Sequence, residues 1–356
     1  MADRAQEPFG HVSTGQALNN RYQIIKSLGW GRYSTVWLAK DQVDLSYKAI
    51  KVLREDCYGG ECDIFELEIL KCLSEGDINH PGYRHVSRLL DNFVHDRCVC
   101  LVLEPMAEHM KDFCFFFRDA KIPNDILKRI TKQLLSALDY AHSMGIIHAD
   151  IKQDNIMVRI RDYNIIDRHL QDPHHSLGEY NFDKPSDLPE VEVVLGDWGA
   201  ASWESHHLSA MIQPTLLRAP EVLLQASWGK EVDIWNLGAL LPELLDTVRM
   251  FSGRSDASGG EYLIKHHVEE IDALFGPFPP SLLKEGKPEI IRQIFDEDFR
   301  IKDPTTRPPA RLETWIECLE GVEKKRFLSL LRSMMEIDPR QRMSPLSLQN
   351  EPWLSN

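Results

Sequence analysis

The stretch that most restricts this chain is the junction at residues 125–155. An amphipathic run, ILKRITKQLLSALDYAHSMG, has apolar residues recurring at three and four and closes on Gly145, which predicts a long helix with a glycine stop. It leads at once into His148-Ala149-Asp150-Ile151-Lys152-Gln153-Asp154-Asn155. An acid that accepts a hydroxyl proton, a lysine beside the transferred group and oxygen ligands suited to Mg²⁺ are the parts that phosphoryl transfer requires. A loop of this kind needs a core that can hold its helix. At 43% hydrophobic and 27% charged residues, the 356-residue chain has the composition to build one, and extensive disorder is excluded.

Upstream, YQIIKSLG, STVWLAKD and YKAIKVL read as antiparallel strands, DIFELEILKCL as a helix, and VSRLLDNFV and CVCLVLEPM as two further strands. Residues 21–104 therefore form a small sheet with one helix. From about residue 105 to 354 the pattern is mainly helical, with EVDIWNLGALLPELLDTV and KKRFLSLLRSMM separated by the Pro/Gly-rich GPFPPSLLKEGKP. Residues 1–20 are polar and aperiodic, expected to be a flexible arm. Residues 161–192 are polar and rich in His, Pro and Asp, expected to be an inserted surface loop.

Two more motifs carry chemistry. Gly29-Trp30-Gly31-Arg32-Tyr33-Ser34-Thr35-Val36 sits at a strand–turn–strand junction, where glycines let backbone close over phosphate oxygens. Alone it is an ordinary hairpin, and it leads into a strand rather than the helix of a dinucleotide fingerprint. Lys51, central in YKAIKVL, precedes Glu66 by fifteen residues; a buried lysine needs such a carboxylate. Lys48, three residues earlier on the opposite strand face, is the competitor. Asp197-Trp198-Gly199 follows downstream and gains meaning only from its place after the Asp150 loop.

A net charge of −14 makes a direct nucleic-acid partner unexpected and basic partners more natural. The seven cysteines are odd in number and contain no C-x-x-C pair, against a disulfide framework or zinc site. His174-His175 and His206-His207 lack metal-ligand spacing and read as solvated loop residues. There is no apolar run long enough to span a membrane and no signal core. These features point to the cytoplasm and/or nucleus.

In this order the motifs resemble those of protein kinases, over about residues 21–354. The resemblance implies an α+β bilobal fold: a five-stranded antiparallel lobe with one helix on a larger, mainly helical lobe, with ATP in the cleft and Mg²⁺ as cofactor. Position by position, Lys51 resembles the phosphate-binding lysine, Glu66 its ion-pair partner, Asp150 the catalytic base with Lys152 beside it, and Asn155 and Asp197 the metal ligands. Leu28, Gly29, Trp30, Gly31 and Ser34 would close over the nucleotide. Val36 and Ala49 would cover the adenine from above and Met157 from below, with Leu103 as gatekeeper before hinge residues Glu104, Pro105 and Met106.

Arg218-Ala219-Pro220-Glu221 resembles the end of an activation segment, Arg342 its buried partner, and Asp233 the anchor of the catalytic loop. Those matches argue against a small-molecule phosphotransferase. Retention of Lys51, Asp150 and Asp197 argues against a pseudokinase that only binds partners, and Lys152 two residues after the base favours Ser/Thr over Tyr.

Within the kinases, GWGRYSTVWLAKD, FELEILKCL and the ending EPWL resemble the SR-protein kinases of the CMGC group, whose extra late segment would be residues 261–319. That likeness implies basic, Arg/Ser-rich protein substrates and a monomer. Acidic candidates for meeting such substrates are Glu108, Asp112, Glu269, Glu270, Asp272, Asp296, Glu297 and Asp298. Ala149 stands where many kinases carry an arginine that pairs with a phosphorylated activation segment, which implies activity without phosphate on Ser202, Ser205, Ser209 or Thr215. Trp198, bulkier than the usual Phe, is expected to pack under the first helix near Leu70.

Overall fold

The computed structural model describes residues 9–60, 62–172, 177, 191–255, 260–305 and 311–355. Six strands, β1 (Ala17–Leu18), β2 (Tyr22–Trp30), β3 (Ser34–Asp41), β4 (Tyr47–Leu53), β5 (Leu89–His95) and β6 (Cys98–Leu103), form an antiparallel sheet in the order β1-β2-β3-β4-β6-β5. Tyr22 and Ile24 alternate into the core from β2, whereas β4 is buried at nearly every position, as a strand covered on both faces must be. Helix α1 (Glu66–Glu75) turns Ile69, Leu70 and Leu73 into the core it shares with Leu53 and Leu101 of the sheet.

Residues 9–20 are not the arm their polarity suggests. Ala17–Leu18 pair with Tyr22–Gln23 as an edge strand, and Val12 and Leu18 are buried with Ile24, Ile50 and Val52. Two well-placed apolar side chains outweigh the polar stretch around them, so the sheet has six strands rather than five. Residues 1–8 lie outside the described residues.

The larger layer begins with β7 (Met106–His109), α2 (Met110–Phe113) and α3 (Asn124–Ser143). The glycine stop after α3 is real: Gly145 sits at φ 69, with nothing within 4 Å of an added Cβ, so backbone conformation alone calls for glycine there. Then come β8 (Ile146–Ile147), β9 (Ile156–Arg159), α4 (Ile165–Gln171), β10 (Val193–Leu195), β11 (Ser202–Trp203), α5 (Pro220–Leu223) and α6 (Glu231–Asp246). Helix α6 is buried on almost every face, which makes it the axis of this layer.

The late segment is helical: α7 (Ile264–Phe275), α8 (Pro280–Glu285), α9 (Pro288–Ile294) and α10 (Leu312–Trp315) precede α11 (Gly321–Met334) and α12 (Pro345–Leu348). Both α8 and α9 start on a proline, where the missing N–H costs nothing.

The inserted segment also departs from a plain loop. Helix α4 buries Ile165 and Ile166 against Leu38, Tyr47 and Ile160, and the Tyr47 hydroxyl donates to Asp167. It therefore docks on strands β3 and β4. Residues 173–176, with His174-His175, and 178–190 lie outside the described residues. No described helix is long and apolar enough to cross a membrane.

Candidate active site

The Asp150 loop belongs to neither helix nor strand, so its amides need other acceptors. Asp233 of α6, fully buried, supplies them: Oδ2 accepts from the His148 N–H at 2.8 Å and Oδ1 from the Ala149 N–H at 2.9 Å. Oδ2 also takes His142 Nε2 at 2.9 Å, and Asn236 Oδ1 accepts the Ile151 N–H at 3.1 Å. This scaffold holds Ala149 in the left-handed region at φ 63, a conformation that persists only where surroundings over-determine it.

His148 ties this loop to the Asp197 triplet. Its Nδ1 accepts the Asp150 N–H at 3.2 Å, its Nε2 donates to the Gly196 carbonyl at 2.9 Å, and its ring meets Trp198 edge-on at 4.6 Å. Trp198 is fully buried in the same cluster as Leu70, as expected.

The Asp150 carboxylate is oriented through one oxygen. Oδ2 accepts from Lys152 Nζ at 2.7 Å and from Asn155 Nδ2 at 2.9 Å, while Asn155 Nδ2 also reaches the Asp150 carbonyl at 2.8 Å. The amide of Asn155 is thereby turned with its oxygen away from Asp150.

Across the cleft, Lys51 Nζ lies 2.6 Å from Glu66 Oε1 and 2.6 Å from Asp197 Oδ1. Burial opposes charge on Lys51, but Asp197 and Glu66 outweigh it and raise its pKa above the usual lysine range. The same ammonium holds the Asp197 carboxyl down at about 2. Lys48 instead pairs with Asp44 at 3.1 Å at the surface, so of the two it is Lys51 that is buried against the carboxylate of Glu66.

On the sheet side of the cleft, Ala49 lies opposite Leu38 of β3 and Leu103 of β6, and Val36 opposite Lys51. The Gly29–Ser34 turn closes with the Gly31 N–H on the Ser34 carbonyl at 2.8 Å, leaving Leu28 and Trp30 exposed. A Cβ on Gly29 would meet nothing within 4 Å, so the space before it is open. Met157 comes from β9, and a Cβ on Gly196 would lie 2.2 Å from its Cε, which explains that glycine. The Glu104 carboxylate is taken by Arg88 and by Arg159, the latter at 2.6 Å, so only its backbone is left for a ligand. Met106 pairs with Arg159 through β7 and β9.

Composition gave no hint of Gln213. Buried at φ 69, it donates its N–H to the Ala149 carbonyl at 3.0 Å and Nε2 to the Val232 carbonyl at 2.8 Å, and accepts the Ala219 N–H at 2.8 Å. Arg218 donates Nε to the Ile212 carbonyl at 3.0 Å. Glu221 and Arg342 form the expected buried pair.

Several acidic candidates have other work. Glu269 is buried and holds His266 at 3.1 Å and the Thr305 N–H at 3.2 Å. Glu270 caps the Ser252–Gly253 turn at 2.8 and 2.9 Å, and Asp296 caps its own turn through the Asp298 and Arg300 N–H groups, both at 2.9 Å. Asp112, Glu297 and Asp298 are exposed. Beside Lys152 lies a cleft of about 310 Å³ whose charged walls are Lys111, Asp154, Glu243 and Arg249.

The donor set suits Mg²⁺. Asp197 is half-exposed, Asn155 directs its amide oxygen away from Asp150, and the absence of a side chain at Gly199 leaves room beside the carboxylates, where a Cβ would come within 3.4 Å of Asp197 Oδ1.

Residues 22–354 match the protein kinase domain family. A serine/threonine protein kinase of Aspergillus fumigatus is 32% identical over 97% of this chain and 87% of its own length. The serine/threonine-protein kinase SRPK of Physarum polycephalum is 28% identical over 77% of this chain and 71% of its own length. The crystal structure of a kinase domain superposes with a TM-score of 0.74 at 21% identity, covering 97% of this chain and 98% of that one, a likeness of fold. The chain belongs to the protein kinase family, with SR-protein-kinase-like members of the CMGC group among its relatives.

Proposed function

We propose that the chain transfers the γ-phosphoryl group of ATP to serine and threonine hydroxyls of basic, Arg/Ser-rich proteins. The observation that carries this is the Asp150 carboxylate, held through Oδ2 by Lys152 and Asn155 at 2.7 and 2.9 Å with Oδ1 left to accept a hydroxyl proton. Lys152 also brings a cation to the phosphoryl group as charge develops, and Lys51, fixed by Glu66, would hold the nucleotide phosphates. Asp197 and Asn155 would hold Mg²⁺, whose charge neutralises the phosphate oxygens. Leu28, Gly29, Trp30, Gly31, Ser34, Val36, Ala49, Leu103, Glu104, Met106 and Met157 would surround the nucleotide.

Positioning of the loops without added phosphate supports constitutive activity. Gln213 fastens the activation segment to Ala149 by neutral hydrogen bonds, where a phosphate–arginine pair would otherwise serve. The cleft beside Lys152 is mixed in charge, Asp154 and Glu243 against Lys111, Lys152 and Arg249, so the basic substrate class is supported by the likeness to the SRPK relative. All seven cysteines are free thiols, which supports a reducing compartment, the cytoplasm and/or nucleus.

The test is ATP/Mg²⁺ turnover on Arg-Ser and on neutral serine peptides. Asp150→Asn and Lys51→Met should each lose about a hundredfold or more in kcat. Activity that survives both substitutions refutes the roles, and equal rates on the two peptides refute the substrate class. Alanine at Ser202, Ser205, Ser209 and Thr215 should leave the rate unchanged.

A further inference from the structure

A hollow of about 410 Å³ lies between the start of α3, the Arg84-His85 turn and the segment entering β10. Its walls bear four cations, Arg84, Lys128, Arg129 and Lys132, against the carboxylates Asp125 and Glu192, in a chain of net charge −14. None of these residues belongs to the catalytic site, so binding in this hollow is independent of the chemistry proposed there.

Among the described residues, pairing around the hollow leaves positive charge uncompensated. Arg84 and Arg159 share Glu192, at 2.5 and 3.7 Å, and Arg159 and Arg88 share Glu104. Three guanidiniums thus face two carboxylates. Lys128 is matched by Glu323 at 2.8 Å. Arg129 donates Nε to the Val191 carbonyl at 2.9 Å, Lys132 is exposed, and neither has a carboxylate within ion-pair distance among the described residues. Setting Asp125 against these two leaves, among the described residues, a local surplus of two positive charges.

The walls are also fixed in place. Gln133 shares the Val191 carbonyl with Arg129, donating Nε2 at 3.0 Å, and its Oε1 accepts the Val193 N–H at 2.7 Å. Arg129 is therefore oriented before any ligand arrives, which reduces the ordering cost of binding.

We propose that this hollow binds a phosphate monoester carried on a peptide, a phosphoserine side chain, through Arg129, Lys132 and Arg84. A guanidinium fork and an ammonium are matched to phosphate oxygens. A volume of about 410 Å³, against roughly 30 Å³ for a water in the liquid, exceeds what one inorganic phosphate fills and has room for the residue that bears it.

The test uses the full chain and a fluorescent phosphoserine peptide of otherwise neutral sequence, followed by anisotropy beside its unphosphorylated serine counterpart. The phosphopeptide should bind more tightly, and Lys132→Glu and Arg129→Gln should each weaken it about tenfold while Lys152→Ala does not. Lys132 is exposed, so its substitution leaves folding intact and the comparison stands even if Arg129→Gln does not fold. Equal binding of the two peptides, or phosphopeptide binding that Lys132→Glu leaves unchanged, overturns the proposal. Competition by inorganic phosphate with an affinity equal to the phosphopeptide's overturns the peptide as the source of the phosphate.

Discussion

Arg342 lays both terminal guanidinium nitrogens on the carboxylate of Glu221, at 2.6 and 2.7 Å, with neither side chain exposed. Its other three donors reach the carbonyls of Glu336 at 2.8 Å, Glu231 at 3.0 Å and Ile337 at 3.3 Å, so all five are used. The pair fastens the end of the activation segment to the start of α6 and to the chain after α11. Removing one partner strands a buried charge: Glu221→Ala should lose about 3–5 kcal/mol in urea unfolding. The double variant Glu221→Leu/Arg342→Met should lose less than the sum of its single changes, since both charges leave together.

His267 of α7 makes stability depend on pH. It is fully buried, 4.8 Å from the Phe251 ring, with Nδ1 on the Tyr262 hydroxyl at 3.1 Å and Nε2 without a hydrogen-bond partner among the described residues. Burial lowers its pKa from 6.5 to about 4, Glu270 opposing and Arg218 adding weakly. The unfolded chain therefore binds a proton that the folded chain refuses, and stability falls as pH drops from 6.5 towards 4. Between pH 7 and pH 5 the loss from this group should be about 2 kcal/mol. Urea midpoints of the wild type and His267→Phe at the two pH values check this: the variant should lack that part of the fall.

The N-terminal segment contributes to the sheet. Leu18 is fully buried beside Tyr22 and Ile50, so Leu18→Ala should cost about 2–4 kcal/mol in thermal or urea unfolding. Exposed Gln42, changed to Ala, serves as the control and should stay within about 0.5 kcal/mol of wild type.

A feature is legible in the sequence to the degree that physics limits the residues able to build it. Phosphoryl transfer restricts both residue type and spacing, which is why Lys51, Glu66, Asp150, Asn155 and Asp197 stood out. The long amphipathic α3 and α6 stood out because their periodicity extends over several turns. Strand β1 is two residues long and has no period to detect. Helix α4 hides because Ile165, Ile166 and half-buried Leu170 mark its packed face over little more than one turn among polar neighbours. Charge alone does not tell Glu269, Glu270 and Asp296 apart, since a carboxylate that caps a turn or sits buried on a histidine looks the same in sequence as one that faces solvent. Gln213 was invisible for the converse reason: a neutral side chain joins two segments only once the fold brings Ala219 and Val232 to it.

That neutral join gives the last prediction. Gln213 holds Ala149 through its backbone N–H, and its side chain holds Ala219 and Val232. Gln213→Ala keeps the first bond and deletes the other two, leaving the buried Ala219 amide unpaired at a cost of about 1–3 kcal/mol, whereas the Val232 carbonyl, inside α6, keeps its place as a helical acceptor. The loosened segment is the one a protein substrate must lie against, whereas Lys51, Glu66 and Asp197 stay paired. The variant should therefore lose kcat and gain KM for the peptide while KM for ATP stays near the wild-type value. Gln213→Glu separates charge from geometry: the carboxylate can still accept the Ala219 N–H but cannot donate to Val232. Steady-state kinetics should place both variants below wild type, since Gln213→Glu sets a buried carboxylate against the Val232 carbonyl. A rise in KM for ATP alone would contradict the positioning role argued for this residue.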